Sequence, residues 1–250
     1  MAMLAFEDVS ITYDGAEVPA LDRFSLTIGA GERVALVGPS GAGKSTILRL
    51  AAGLTLPDSG SVSVLGVPSV ELGRRAHRAV RARVGVITQD FALVGPLRVA
   101  QNVAAGRLGT MRWWETARTL FGPKDVEGIA QRLEAVGIAE KLWDRSDRLS
   151  GGQQQRVAIA RMLYQDADLC LADEPVSALD PARSVEVMAA LAGHIETDDR
   201  ALVASMHHAP LALRHCDRIV ALRNVQVEFD LPSGDVSEDR LEELYSLEER

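Results

Sequence analysis

Residues 38–46 read Gly-Pro-Ser-Gly-Ala-Gly-Lys-Ser-Thr, directly after the apolar run 34–37. The residues beyond have the character of a helix beginning near Lys44. Gly38, Gly41 and Gly43 let the backbone turn tightly and approach an anion without Cβ obstruction. The N–H groups of that turn and the dipole of the helix then converge on one point. A strand that turns through glycines into a helix is the unit of a parallel α/β sheet. In this pattern Lys44 reaches the β- and γ-phosphates of a nucleoside triphosphate, and the Ser45 hydroxyl takes Mg²⁺. A Gly-rich turn with a solvated lysine is the bland alternative, and the strand before and helix after argue against it. The motif points to a nucleotide and is silent on purpose.

Apolar runs alternate with helical stretches along the chain, as expected of a mainly parallel sheet covered by helices. The expected core strands are residues 34–37, 84–88, 169–172 and 202–205. At their C-terminal ends stand Gly38, Gln89, Asp173 and His207, where an open α/β sheet places its ligands. The first thirty residues alternate polar and apolar and read as antiparallel strands flanking the core. From about Pro96 to Arg148, Ala, Leu and Arg dominate and helical periodicity takes over, so a helical insertion is expected. The acidic tail from about Ser233 also reads as helical and is too short for an extra regulatory domain.

Two further motifs carry chemistry. Asp168-Leu-Cys-Leu-Ala-Asp173-Glu174 is an apolar strand ending in two carboxylates. Asp173 can hold Mg²⁺ and Glu174 can polarise an attacking water, which with one metal is what phosphoryl transfer needs. Solvated strand-end carboxylates are the alternative, and the phosphate loop in the same chain favours catalysis. Leu149-Ser150-Gly151-Gly152-Gln153 opens a helix expected to run through Arg161. A hydroxyl and two glycines at a helix N-terminus form a second anion site, or simply a Ser N-cap.

In this order, the three motifs resemble the nucleotide-binding subunit of ABC (ATP-binding cassette) proteins over nearly the whole chain. The resemblance implies an α/β fold of the P-loop NTPase, ABC type. Its mainly parallel, RecA-like sheet would carry an antiparallel β subdomain and an inserted α-helical subdomain. Residues 1–245 would form one domain, with 1–95 and 156–232 as nucleotide-binding core with the β subdomain, 96–155 as the helical subdomain and 233–250 as a tail. The ligands implied are ATP and Mg²⁺, with Gly38, Pro39, Ser40, Gly41, Ala42, Gly43, Lys44, Ser45 and Thr46 cradling phosphate. Tyr13 resembles the aromatic that stacks on adenine, with a core tyrosine on an edge strand as the other reading. Ser45, Gln89 and Asp173 would hold the metal; Glu174, His207, Lys44 and Gln89 would carry catalysis. Ser150, Gly151, Gly152 and Gln153 would seal the nucleotide of a second copy in a head-to-tail dimer. Ser177, Ala178, Leu179 and Asp180 resemble the D-loop that contacts that copy. The family's Ser-Thr-His-Asp here reads Ser205-Met206-His207-His208, without the acid.

Residues 89–103, the segments Gly106-Arg-Leu-Gly109, Trp113-Trp114 and 120–124, and residues 207–213, 218–223 and 227–234 look like ATPase subunits of bacterial phosphonate importers. That implies membrane permease subunits, a periplasmic solute-binding protein and a position on the cytoplasmic face of the inner membrane. An exporter subunit or an accessory ATPase of a soluble phosphonate-degrading complex are the alternatives. Packing is the expectation for Trp114, while Trp113 stays open. Arg74, Arg75, Arg78, Arg81 and Arg83 read as a solvated helix face. Asn224-Val225 stands where relatives carry Asp-Gly, and valine disfavours positive φ, so a turn other than the two-residue hairpin is expected there.

Bulk properties agree. The 250 residues are 47% hydrophobic and 25% charged, and no window reaches the apolar length of a membrane span. The N-terminus lacks a basic start and a long apolar core, so no signal peptide is read. A net charge of −8 argues against a nucleic-acid partner. The two cysteines, Cys170 and Cys216, have no disulfide or metal spacing, and Cys170 sits in an apolar strand as a buried thiol. Replacing Lys44 with Ala is expected to abolish measurable ATP affinity in calorimetry, and unchanged affinity would contradict the phosphate-loop assignment.

Overall fold

The computed structural model describes residues 2–72, 77–112, 114, 115, 119, 122–195 and 199–246. The alternating N-terminal residues form β1 (Ala2–Ile11) and β2 (Leu21–Gly29), an antiparallel pair. β4 (Ser59–Val64) pairs with the other edge of β1, and β5 (Val67–Pro68) with β4. The apolar runs form the second sheet: β3 (Arg33–Val37), β6 (Val84–Ile87), β7 (Leu169–Asp173) and β8 (Ala201–Ser205). β9 (Arg218–Arg223) and β10 (Gln226–Pro232) complete it in the order β10-β9-β3-β8-β7-β6. All neighbours in this sheet are parallel except the β9–β10 hairpin.

Strands covered on both faces can be apolar throughout, and every residue of β8 is buried. Because side chains alternate across a pleat, each central strand feeds two cores. Val37, Ala172, Ala204 and Ala221 pack toward the helices of the insertion and the C-terminal half. Leu36, Leu171, Val203 and Leu222 pack toward α1 (Lys44–Ala51) and the four-stranded sheet. Burying one such Leu or Val contributes about 1.5–3 kcal/mol. Both cysteines lie in this interior, and burial pushes the Cys170 and Cys216 thiols up to about 12.

α2 (Ser69–Leu72) and α3 (Arg78–Arg81) precede β6. The expected helical insertion contains α4 (Val99–Ala104) and α5 (Val126–Ala135), both packed on α6 (Gly151–Gln165). α6 is unbroken past residue 156, so the insertion and the sheet share one helix. Buried Asn102 ties the insertion together: its amide nitrogen donates to Ser146 Oγ at 2.8 Å and its oxygen accepts from Val94 N at 2.8 Å. Gly106 packs against the Arg161 carbonyl, and Arg107 donates to the Tyr164 carbonyl at 2.7 Å. The Gly106–Gly109 segment therefore packs on α6. α7 (Pro181–Gly193) and α8 (Ala209–His215) come next, and the acidic tail forms α9 (Glu238–Ser246), with Leu241 and Leu244 buried.

Three expectations are corrected. Trp114 is 47% exposed, with the Arg112 guanidinium 4.7 Å above its ring, and is not a packed core residue. Trp113 lies outside the described residues, as do Arg74 and Arg75. The basic run is not simply solvated: Arg78 donates to the carbonyls of Leu108, Gly109 and Met111, and Arg83 pairs with Asp168 at 2.6 Å.

The third correction is the turn at Asn224-Val225. It is a two-residue hairpin after all, with φ of 49° and 61° and Arg223 opposite Gln226. The right-handed twist of the ladder favours this turn, and Phe229, buried in the core, helps hold the register that imposes it. Val225 adopts what a β-branched residue resists, a strain of about 1–3 kcal/mol. Val225→Gly is expected to raise the melting temperature by about 2–4 °C, the net of about 1 kcal/mol after glycine's entropy cost. Thermal unfolding followed by circular dichroism checks this.

Candidate active site

The sheet order decides what meets at its carboxyl edge. β8 lies between β3 and β7, with Ser205 in register with Leu36 on one side and Asp173 on the other. Ser205 Oγ donates to Asp173 Oδ1 at 2.6 Å and accepts from Glu174 N at 2.9 Å. Ser45 Oγ, at the start of α1, donates to the same carboxylate oxygen at 3.1 Å. Ser45, Asp173 and the Gln89 amide offer only oxygen or amide donors, the hard set that suits Mg²⁺.

The phosphate loop is close-packed. Gly38 has φ 144°, and a Cβ there would collide with the Leu222 carbonyl of β9. No side-chain cap closes the N-terminus of α1 at Gly43, and the first N–H groups of a helix find no acceptor within the helix itself. Lys44 is buried, its ammonium donating to Gly38 O at 2.5 Å and Pro39 O at 2.8 Å. Those neutral carbonyls are weaker partners for a cation than phosphate oxygens, and charge-assisted bonds are the stronger class.

Tyr13, Ser40, Gly41, Gly43, Lys44, Ser45, Thr46, Gln89, Glu174 and His207 line one groove with a volume of 380 Å³. Gly38, Pro39 and Ala42 form the buried back of the loop. Tyr13 stands at the rim, 37% exposed, its hydroxyl 3.4 Å from Thr46 Oγ1, so the core-tyrosine reading does not hold. His207 Nε2 lies 2.8 Å from Glu174 Oε1, so the histidine meets the carboxylate although no acid follows it in sequence. An apolar cavity adjoins the groove on the far side of this pair, lined in part by Ser177, Leu179, Met206 and Leu211.

Other expected site residues lie apart from the groove. Ser150 caps α6, accepting from Gln153 N at 3.3 Å, while the Gln153 side chain accepts from Ser150 N at 3.0 Å. Ser150 and Gly151 are exposed, and none of the residues 150–153 lines the groove. Gly152 packs on the 177–180 segment of its own chain: a Cβ there would lie 2.7 Å from Ala178 O. Asp180 caps α7 by accepting from Arg183 N at 3.0 Å.

Sequence reasoning missed three residues that hold the site. Ser205 marks only a strand end in the sequence. Arg161 reaches from α6 to the carbonyls of Phe91 and Ala92 at 2.8 and 2.7 Å, pinning two residues with positive φ just after Gln89. Burial pushes the Arg161 guanidinium below its ordinary range, with Asp90 opposing the shift. Gln155 is the third. The one signal in the sequence is a polar residue at a core-facing position of a helix, which is ambiguous without neighbours. Ser205→Ala would leave the Glu174 N–H unpaired and Asp173 Oδ1 with Ser45 as its remaining hydroxyl donor, so a loss of about 1–3 kcal/mol is expected in denaturant unfolding.

Comparisons with known proteins place the chain in a family. A family profile described as "ABC transporter" matches residues 21–177. The phosphonates import ATP-binding protein of Pseudomonas putida is 46% identical over 236 residues, covering 93% of this chain and 87% of that protein. A second such protein, from Pseudomonas aeruginosa, is 42% identical, covering 96% of this chain and 92% of its own. One from Anaeromyxobacter dehalogenans is 47% identical over 91% of this chain, which spans 45% of that protein's length. The dimeric structure of a bacterial ABC transporter cassette superposes with a TM-score of 0.82 at 30% identity, covering 92% of this chain and 99% of that one. A dimeric cassette bound to ADP and Pi superposes with a TM-score of 0.79, also at 30% identity.

Proposed function

The chain belongs to the ABC transporter family, and we propose that it hydrolyses ATP to energise a bacterial importer of phosphonates or related phosphorus oxyanions. The observation that supports this reading is one groove lined by the phosphate loop, Gln89 and the Glu174–His207 pair, with Asp173 bonded to its Ser45 wall. The names of the relatives support the choice of phosphonates.

The chemistry follows from these positions. The uncapped start of α1 and Lys44 take the triphosphate, the ammonium exchanging the Gly38 and Pro39 carbonyls for β- and γ-phosphate oxygens. Tyr13 at the rim offers its face to adenine. Ser45, Asp173 and Gln89 would hold Mg²⁺, which neutralises charge on the phosphates when bound. Glu174 orients a water on the γ-phosphorus and takes its proton as the new P–O bond forms and ADP departs. His207, fixed by Glu174, contacts the γ-phosphate.

Within one chain, residues 150–153 do not line the groove. In a head-to-tail dimer, Ser150, Gly151, Gly152 and Gln153 of one copy close over the nucleotide of the other, and the 177–180 segments meet at the interface. The dimeric cassettes with which this chain superposes support that arrangement. Among the described residues no helix is long and apolar enough to cross a membrane. The translocation path then belongs to permease subunits, with this chain peripheral on the cytoplasmic face and substrate supplied by a periplasmic binding protein.

Glu174→Gln is expected to bind ATP but to lower turnover by at least about 100-fold and to accumulate as a dimer with ATP and Mg²⁺. Size exclusion with light scattering reads this, and a monomer under those conditions would sink the composite-site arrangement. Affinity purification from gently solubilised membranes tests the transport role. Recovery of a polytopic permease and a phosphonate-binding protein supports it. Recovery of soluble phosphonate-cleaving enzymes alone would refute it.

A further inference from the structure

We propose that Gln155 is a positioning residue for hydrolysis, setting Glu174 and the 177–180 segment from inside the helix that Ser150 opens. This rests on the proposed role of Glu174.

Gln155 is 0% exposed, a polar side chain wholly inside the protein. Its Nε2 donates to Glu174 O at 2.9 Å and its Oε1 accepts from Ala178 N at 3.1 Å. A primary amide offers a donor and an acceptor side by side, and here each meets its complement at the two ends of one turn. That turn contains the strained point of the site. Glu174 has φ 50°, a left-handed conformation that persists in a non-glycine residue only where the surroundings hold it. Ser205 Oγ holds its N–H at 2.9 Å, while Gln155 and Ser177 Oγ hold its carbonyl at 2.9 and 3.1 Å.

The same helix touches the segment a second time, where Gly152 lies against Ala178 O. Gln155 stands five residues from Ser150, about 7.5 Å along the helix axis. A movement of the helix N-terminus is therefore delivered to the backbone of Glu174 through one rigid element. In the proposed dimer that N-terminus meets the partner's nucleotide, so Gln155 links each site to its neighbour.

The test uses the full chain, with steady-state ATP turnover, ATP affinity by calorimetry and thermal unfolding measured on each variant. Gln155→Met keeps length and loses both hydrogen bonds. It is expected to lower kcat by about 10–100-fold while ATP Kd stays within about threefold, because displacing a reacting group by a fraction of an ångström costs rate rather than ground-state binding. Gln155→Glu keeps an acceptor for Ala178 and loses the donor to Glu174 when ionised. Its kcat relative to wild type is expected to climb as pH falls and the new carboxyl gains a proton to donate, a profile a merely structural residue would not produce. Should Gln155→Met fail to fold, Gln155→Glu alone decides. Wild-type turnover in Gln155→Met, parallel loss of kcat and affinity, or a flat pH ratio for Gln155→Glu would overturn the positioning role. Absence of turnover in the wild type, or full turnover in Glu174→Gln, would instead remove the hydrolytic role of Glu174 itself.

Discussion

Asp173 Oδ1 accepts two hydroxyl hydrogen bonds, from Ser45 on the helix after β3 and from Ser205 at the end of β8. Much of the site depends on that convergence. The carboxylate sits at the edge of a buried sheet, where a charge is tolerable only when satisfied. Two short serines satisfy it from elements that also carry the phosphate loop and the histidine. The strand order β3-β8-β7 makes this possible, because it brings the end of β8 beside Asp173 and the β3–α1 turn near enough for Ser45 to reach the same oxygen. The same Ser205 oxygen fixes the Glu174 N–H, so the proposed metal ligand and the proposed hydrolytic carboxylate are set by one atom.

Rigidity is distributed unevenly around this point. The central strands β3, β7, β8 and β9 are apolar and packed on both faces. The loops at its edge carry the strain: Glu174, Phe91 and Ala92 all have positive φ. Each is held by a side chain of α6, Gln155 for the first and Arg161 for the other two. One helix therefore braces both the carboxylate turn and the segment after Gln89. Such strain persists where surrounding groups over-determine the backbone, and α6, packed on by both the helices of the insertion and β6, supplies that determination.

Much of the architecture was legible in advance because it rests on local rules. Four apolar runs became parallel strands within a residue or two of the expected bounds, since continuous burial on two faces leaves only apolar residues. Ser150 became an N-cap and Lys44 opened a helix for equally local reasons. Trp114 and the Asn224-Val225 turn depart from expectation because local preference was overruled. An arginine covers one face of the indole at the surface, and a ladder seven residues long forces valine into a hairpin its side chain disfavours.

The sequence by itself determined where the Gly-rich turn before Lys44, the two strand-end carboxylates and the Ser150 helix start would fall, because each is a short contiguous stretch governed by local backbone rules. Only the tertiary structure decided how they cooperate. It brought Tyr13 to the rim, turned His207 onto Glu174, and left Ser150 outside the groove of its own chain. It also set Ser205 and Gln155 against the Glu174 backbone, through contacts that span 31 residues or fewer in sequence yet cross from one strand or helix to another. A polar residue in an apolar segment announces that it needs a partner, but strand order and helix packing choose which partner it finds.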